Sequence, residues 1–542
     1  MSLHSIVMRR LFFVLAGASI ATVTLLGELI SPSFYWAFIV LLPLVTLGLM
    51  NAFQKKRAIL RNYPILGMLR YFFEEIRPEI QQYFVENDTD GTPFARDVRS
   101  VVYQRAKRQR DTVPFGTQKD LYKAGAEWVH HSLRPLHIDP LTLRVTIGNH
   151  QCKQPYSASI FNISAMSYGS LSASAIRSLN GGAKIGGFFH NTGEGGLTPH
   201  HLDEGGDIVW QIGTGYFSCR HTDGTFDPEK FRERSRHPNV KMIEIKLSQG
   251  AKPSHGGILP AAKVTKEIAE IRGVVVGKDV NSPPAHSEFD NAEGLIKFVA
   301  KLRELSDGKP IGFKLCLGHP AEFTSICRAM KKLDTYPDFI TVDGAEGGTG
   351  AAPLEFTNSL GMPWAEGLTM VRDTLDLMDL KKHIRIITSG KVVTGFGILK
   401  AIAMGADTVN SARGMMLALG CIQARKCNTN ECPAGVATTD KSLARGLVIS
   451  DKKNRVANYH GQTLRAFAEL LGACGIAKPG DLKRSHILRR TSSGSITDYE
   501  VLYPSAYQNS SVAGSTTQAM VVPPGSVTRP QAERFLEASS AF

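Results

Sequence analysis

Phe339-Ile340-Thr341-Val342-Asp343-Gly344-Ala345-Glu346-Gly347-Gly348-Thr349-Gly350 is a stretch of two halves. Its first four residues are β-branched or aromatic, the composition of a short buried strand. The rest is a glycine-rich turn whose bare backbone can approach a ligand. The same grammar recurs along the chain. Runs at Ile160–Met166, Gly187–Asn191, Lys241–Leu247, Gly273–Val280, Ile311–Leu315, Ile384–Ile387 and Thr408–Asn410 end in Gly, Ser, Asn or Asp clusters, and helical stretches follow them. Alternating strands and helices imply parallel βα units, and eight such units across about 250 residues are the size of a (β/α)8 TIM barrel in the α/β class. An open doubly wound sheet is the alternative; the count favours the barrel.

Barrels place their chemistry at the C-terminal ends of the strands. Those ends here read Ser164-Ala165-Met166-Ser167, Asn191-Thr192-Gly193-Glu194, Lys246 to Pro253, Asn281 to His286, Lys314, Asp343 to Gly350, Ser389-Gly390-Lys391 and Ser411-Ala412-Arg413-Gly414. Two features stand out. Exposed N–H groups in the last three ends can cradle a phosphate, which barrels commonly bind after strands seven and eight. Lys246, Lys252 and Lys314 converge, suiting an anionic ligand or a developing negative charge. Tight turns and surface charges are the plain alternatives. Flavin mononucleotide fits this layout, and Lys314 is the candidate cation for N1 and O2, where charge grows on reduction.

Gly420-Cys421-Ile422-Gln423-Ala424-Arg425-Lys426-Cys427-Asn428-Thr429-Asn430-Glu431-Cys432 carries three of the eight cysteines of the chain. Structural zinc takes four ligands, commonly as C-x2-C pairs. Three thiolates without a fourth suit a 3Fe-4S cluster, a form lacking one iron corner. Three unrelated buried thiols are the alternative.

The first sixty residues differ from the rest. Leu11–Ile30 and Phe34–Phe53 are apolar runs of about 20 residues, enough to cross ~30 Å of hydrocarbon. Arg9 and Arg10 precede the first; Lys55, Lys56 and Arg57 follow the second. Basic flanks stay inside, so the reading is a two-helix transmembrane hairpin in the inner (cytoplasmic) membrane, with both ends and the folded domain in the cytoplasm. A cleaved signal peptide is the rival for the first run. The formal charge of +14 suits an anionic leaflet; no recognition motif for nucleic acid is present. A reducing cytoplasm argues against disulfides. The expected organisation is a hairpin at 1–57, a lead-in segment packed on the barrel at 58–155, the FMN-binding barrel with its iron–sulfur loop at 156–485, and a Ser/Thr/Pro/Gly-rich tail at 486–542 that wraps the surface or is partly disordered.

These residues carry a family resemblance. CIQARKCNTNECPAGVAT, SAMSYGSLS, NTGEGG, KLSQGAKP, SPPAH and VDGAEGGTGAAP resemble motifs of the glutamate synthase large subunit, in the same order, over about residues 100 to 480. The whole chain, with NDTDGTPFAR, is most similar to bacterial membrane-associated glutamate-synthase-like proteins. The resemblance implies FMN on Ser164, Ala165, Met166, Ser167, Gln249, Lys314, Gly347, Gly348, Thr349, Gly350, Ser389, Gly390, Lys391, Ala412, Arg413 and Gly414. It implies a 3Fe-4S cluster on Cys421, Cys427 and Cys432. Lys314, Glu194 and Lys252 would be catalytic, with Gly193, Glu194 and Lys252 in the 2-oxoglutarate pocket.

The implied reaction is reductive amination of 2-oxoglutarate to glutamate, a CH–NH2 oxidoreductase chemistry, with electrons from ferredoxin or another redox protein. Direct NAD(P)H use is not expected, because no G-x-G-x-x-G fingerprint follows a strand in a βαβ setting. There are departures from the family pattern. No glutaminase domain precedes the barrel, so ammonia is the expected amino source, and the family's C-terminal β-helix is not seen. Ile258 stands where the family has a polar glutamine that contacts substrate. The alternatives are therefore a flavin/iron–sulfur amino- or hydroxy-acid oxidoreductase exchanging electrons with a membrane or protein carrier, and a redox sensor that has lost turnover.

Overall fold

A computed structural model describes residues 3–109, 112–491 and 494–505. The chain divides into two compact units, Met1–Arg96 and Asp97–Phe542.

The second unit is built on a closed barrel of eight parallel strands: β1 (Phe161–Ile163), β2 (Phe189–Asn191), β3 (Asp207–Ile212), β4 (Val240–Lys246), β5 (Ile311–Cys316), β6 (Phe339–Asp343), β7 (Arg385–Ser389) and β8 (Thr408–Ser411). The ring closes where β8 pairs with β1, Val409 opposite Phe161 and Ser411 opposite Ile163. Seven of the expected runs overlap these strands; Gly273–Val280 does not. Gly273 instead ends the helix Lys266–Arg272 in the left-handed conformation, φ 61°. Val275 and Val276 are 62% and 53% exposed. Only Val280–Asn281 is extended, paired antiparallel with Ile258–Leu259 outside the barrel. The missing strand is β3, Asp-Ile-Val-Trp-Gln-Ile. A valine run has strand propensity but needs a sheet neighbour, and burial decides between the two segments.

Side chains alternate along each strand, so the interior forms layers. The antiparallel hairpin Arg144–Ile147 and Tyr156–Ser159 supplies Ile147 and Ala158 to a floor with Phe189, Val209, Met242, Phe339 and Ile387. Two residues further along come Asn191, Gln211, Glu244 and Thr341. The buried Glu244 carboxylate accepts from Asn191 Nδ2 (2.8 Å), Gln211 Nε2 (2.7 Å) and Thr341 Oγ1 (2.5 Å). Another two residues along β4 and β6 bring the rim, where Lys246 and Asp343 end those strands; Ser389, two beyond Ile387, ends β7 beside Asp343. Below it, Gly312 on β5 makes room for Phe339; a Cβ at Gly312 would lie 2.4 Å from the Phe339 carbonyl oxygen and 2.5 Å from its ring.

A repeated carboxylate device fastens the opposite rim. Asp338 precedes β6; its N–H donates to the Ile311 carbonyl (2.7 Å) while its Oδ2 accepts from the Ile311 N–H (2.8 Å). Asp407 precedes β8 and does the same with Ile386, at 2.7 and 2.6 Å. Asp338 also binds Arg303 Nη2 (2.9 Å) and the Asn149 N–H (2.7 Å). The described part of the tail begins with Ile487–Arg490, which pairs antiparallel with Glu127–Val129 and with Ile496–Asp498; its residues 506–542 lie outside the described residues.

In the first unit, Arg9–Leu29 and Pro32–Phe53 are helical, with mean hydropathies of 1.8 and 2.0, long and apolar enough to cross a membrane. Ser31 caps the turn between them by accepting from the Ser33 N–H. Gly48 sits against the Phe12 ring, where a Cβ would lie 2.3 Å away. Tyr35 donates to Glu28, the carboxylate near the end of the first run, at 2.5 Å.

Gly312→Ala is expected to overpack the floor and lower stability by about 1–3 kcal/mol. Gly318→Ala, where nothing stands within 4 Å of the new carbon, is the matched control. Urea unfolding followed by circular dichroism checks the pair; equal midpoints would sink the packing account.

Candidate functional site

Every residue singled out above from the strand ends lies at or beside one rim of the barrel, because in a parallel ring all eight C-termini point the same way. Ser164 to Ser167 leave β1, Glu194 follows β2, and Gln249 and Lys252 follow β4. Lys314 lies within β5, Gly347 to Gly350 follow β6, Ser389 to Lys391 end β7, and Ala412 to Gly414 follow β8. The loop after β2 packs closely on that after β1: a Cβ on Gly193, at φ 65°, would lie 2.7 Å from the Ser167 backbone nitrogen. Asn281 to His286 do not follow a barrel strand; they leave the small hairpin Ile258–Leu259/Val280–Asn281 and return toward β4.

Two buried ion pairs organise this rim. Lys314 Nζ lies 3.1 Å from Asp343 Oδ2. Asp343 also accepts from Ser389 Oγ (2.7 Å) and the Gly250 N–H (3.0 Å). Burial acts to lower the Lys314 pKa, but Asp343 and Glu244 outweigh it and raise it. Lys314 is therefore a fixed cation. Glu194 Oε2 lies 2.7 Å from Lys246 Nζ. Burial would raise the Glu194 pKa, yet Lys246, Lys252 and Arg272 pull it down to about 2.

Lys252 is 3% exposed and its Nζ donates to the Gly256 carbonyl at 3.4 Å. Burial lowers its pKa to about 8, with Glu194 opposing and Lys246 reinforcing. Arg272 is buried and donates to the Tyr168 carbonyl at 2.9 Å. Its guanidinium is close enough to Glu194 for the two charges to favour each other. Three cations thus surround one carboxylate. In a desolvated site this surplus calls for an anion carrying up to two charges. The Ser254–Pro260 loop packs over it; a Cβ on Gly257 would lie 2.9 Å from Glu194 Cδ, and the next residue is the half-buried Ile258.

A second cationic patch lies where β7 and β8 end. Lys391 and Arg413 each have a lowered pKa, burial first, and Arg413 adds its repulsion at Lys391. Lys391 adopts φ 52°, which turns the backbone after Ser389-Gly390. Arg413 Nη2 donates to the Glu346 carbonyl at 2.9 Å.

Sequence reasoning missed Arg272 and the roles of Asp343 and His286. Arg272 ends a helix of ordinary amphipathic pattern, so its approach to Glu194 is visible only once the chain is folded. His286 is buried between the Lys246 carbonyl (Nε2, 2.9 Å) and the Tyr216 hydroxyl (Nδ1, 2.9 Å). A carbonyl can only accept, so Nε2 carries the proton and Nδ1 accepts from Tyr216. Burial lowers its pKa to about 4, so the ring is neutral and serves as a clamp on the end of β4.

The loop after the helix Arg413–Leu419 carries Cys421, Cys427 and Cys432, all free thiols. Burial pushes the Cys421 thiol up to about 12, and its two companions add to this. Gln423, Arg425 and Asn430 have positive φ, so the loop is wound tightly. Tyr103 donates to the Cys421 carbonyl at 2.7 Å. Lys263 donates to the Ser170 (3.1 Å) and Ala437 (2.9 Å) carbonyls, near enough to Cys427 and Cys432 to feel their charge. Among the described residues no three His, Cys, Asp or Glu side chains converge to hold a metal ion.

A cavity of about 820 Å³ opens at the opposite rim, lined by Asp207, Arg236, Lys241, Asp307 and Lys309. Its polar groups already have partners: Arg236 Nε binds Asp307 at 2.9 Å, and Lys309 donates to the Ser235 and Val240 carbonyls at 2.5 and 2.6 Å.

Comparison with known proteins agrees with this geometry. A family model described as "Conserved region in glutamate synthase" matches residues 104–477. Over 489 residues the chain is 38% identical to the glutamate synthase large subunit-like protein YerD of Bacillus subtilis (strain 168), covering 83% of this chain and 93% of that one. It is 35% identical over 315 residues to the archaeal glutamate synthase (NADPH) of Methanocaldococcus jannaschii, 58% of each chain. It is 31% identical over 322 residues to the glutamate synthase (NADPH) large chain of Bacillus subtilis, spanning 20% of that protein.

Lys252 is charged below about pH 8, so anion binding at the rim is expected to weaken as pH rises through that value. Lys252→Arg should carry the falling limb to higher pH, since a guanidinium keeps its proton. Calorimetric titration with a dicarboxylate across this range tests it. A pH-independent affinity in the unaltered protein would exclude Lys252 from the site.

Proposed function

The chain belongs to the glutamate synthase family, whose members are oxidoreductases acting on CH–NH2 donors, and we propose that it is a membrane-tethered FMN and iron–sulfur enzyme that reductively aminates 2-oxoglutarate to glutamate with ammonia and an external electron donor. The observation that carries this reading is the surplus of positive charge around Glu194. Lys246, Lys252 and Arg272 leave the pocket two charges short of neutrality, which matches the two carboxylates of a 2-oxo dicarboxylic acid.

The residues present fit an FMN. Lys391 and Arg413 hold like charges together at the ends of β7 and β8, a natural seat for its phosphate. Gly350, with nothing within 4 Å of its Cβ position, leaves backbone open for close approach. Lys314, kept charged by Asp343, would hold negative charge growing on the ring. When bound, FMN would supply two-electron reducing chemistry. Lys252 would fix a substrate carboxylate and, with a pKa near 8, is suited to exchange a proton there. Glu194 stays ionised and orients its cations.

Three thiols on one tight loop, with Lys263 and Arg99 near to balance thiolates, fit a 3Fe-4S cluster. The two apolar helices support a tether with both basic flanks on the cytoplasmic side. Ile258 favours a second reading, in which a less polar 2-oxo acid is the substrate; it adjoins the glycine that packs on Glu194.

The deciding measurement is anaerobic. The flavin of the purified protein is photoreduced, 2-oxoglutarate and ammonium are added, and flavin absorbance and glutamate are followed. Rapid reoxidation with glutamate formed is expected; a flavin that stays reduced with this pair but reacts with an apolar 2-oxo acid moves the assignment to the second reading. Cys427→Ser should lose iron and the broad visible absorbance of a cluster while keeping flavin. Full iron content in that variant would overturn the cluster assignment.

A further inference from the structure

The helix Leu66–Ile80 follows the second apolar span closely, and its start is fastened to the end of that span. Asn51 Nδ2 donates to the Pro64 carbonyl at 2.8 Å. A Cβ on Gly48 would lie 3.0 Å from Ile65 Cδ1. Arg9, at the other end of the hairpin, donates to the Ala52 carbonyl at 3.2 Å. If the hairpin spans a bilayer, this helix therefore begins at the lipid–water boundary.

The helix is amphipathic. At about 100° per residue, Phe72, Ile76, Leu69, Ile80, Phe73 and Leu66 fall in one arc of roughly 120°. Arg77 and Arg70 edge that arc on one side and Glu79 on the other, and Glu74 and Glu75 lie beyond it. The opposite face is the one used for packing. Gly67 lies against Ile59 and Leu60, and Tyr71 lies beneath the Arg57 guanidinium, 4.6 Å from its ring centre. The apolar arc is left open: Leu66 is 61%, Leu69 53%, Phe72 53% and Phe73 55% exposed. Phe84, in the turn that follows, is 84% exposed.

We propose that Leu66–Ile80 lies flat in the cytoplasmic face of the membrane, its Leu66/Leu69/Phe72/Phe73 arc among the acyl chains and Arg70 and Arg77 at the headgroups. This inference rests on the tether reading above. Lipid is the occupant because the arc continues directly from a span meant for lipid, and because Lys55, Lys56 and Arg57 between the two favour an anionic surface. Arginines at the border of such an arc can reach the phosphates while their stems stay with the apolar face. The tether would thereby be a hairpin plus a surface-bound helix, two anchors in series.

The test uses the full chain reconstituted in phosphatidylethanolamine–phosphatidylglycerol vesicles. Three single variants, Leu44→Trp, Phe73→Trp and Glu75→Trp, are each read as the emission difference from the unaltered protein, with lipids brominated near the headgroup or near the chain end. Phe73→Trp should be blue-shifted and lose intensity to the headgroup-proximal bromines, while Glu75→Trp on the opposite face keeps its intensity. Leu44→Trp, within the second span, should be quenched by the chain-end bromines. If Leu44→Trp is quenched and Phe73→Trp is not, the surface helix is wrong and the hairpin stands; the arc is then covered by protein. If neither is quenched, the tether fails and the inference with it.

Discussion

The ring of strands can close only if β8 pairs with β1, and every feature of the site depends on that closure. A parallel sheet with a free edge would leave backbone donors and acceptors unpaired. Once Val409 meets Phe161, no edge remains and all eight C-terminal ends share one rim. Loops separated by more than two hundred residues, such as those holding Ser164 and Arg413, then stand on neighbouring strands. The opposite rim is fixed by Asp338 and Asp407, each embracing a residue at the start of the preceding strand with both its N–H and its carboxylate. The floor is apolar, the middle is held by Glu244, and the charge is carried at the top. This order puts unsatisfied electrostatics where a ligand can reach them.

At that top the two ion pairs are differently composed. Lys314 and Asp343 balance, and Asp343 gains two further donors, so this pair is a fixed part of the framework. Glu194 is outnumbered by Lys246, Lys252 and Arg272. The surplus survives burial because Glu194 relieves each cation in part, and because the neutral His286 holds the backbone of Lys246 without adding charge. Lys252, brought by burial to about 8, loses its proton more easily than Arg272, which burial brings to about 10.

Much of the barrel was legible because strand composition and terminal glycine clusters are local properties. The exception is instructive. Gly273–Val280 has the right residues but no neighbouring strand, whereas Asp207–Ile212 begins with a charge that binds Tyr156 at the floor and carries Gln211 inward to Glu244. A polar residue pointing into the barrel looks, in sequence, like the end of a strand. The rim residues were legible as a set because each follows a strand. Arg272 and the pairing of Asp343 with Lys314 were not: the one is brought in by the helix that carries it, and Asp343 is indistinguishable in sequence from a turn-forming aspartate.

The cationic surplus around Glu194 has a practical side. A pocket short of negative charge recruits whatever small anion is abundant before it can judge shape. Sulfate, phosphate or citrate in a buffer would occupy it by Coulomb attraction alone, weakly but at millimolar supply. Apparent substrate affinity would then report a displacement rather than a vacancy filled, and would vary with the salt chosen to purify the protein. For a chain of this kind, the identity of the counter-ion in the tube is part of the description of the enzyme.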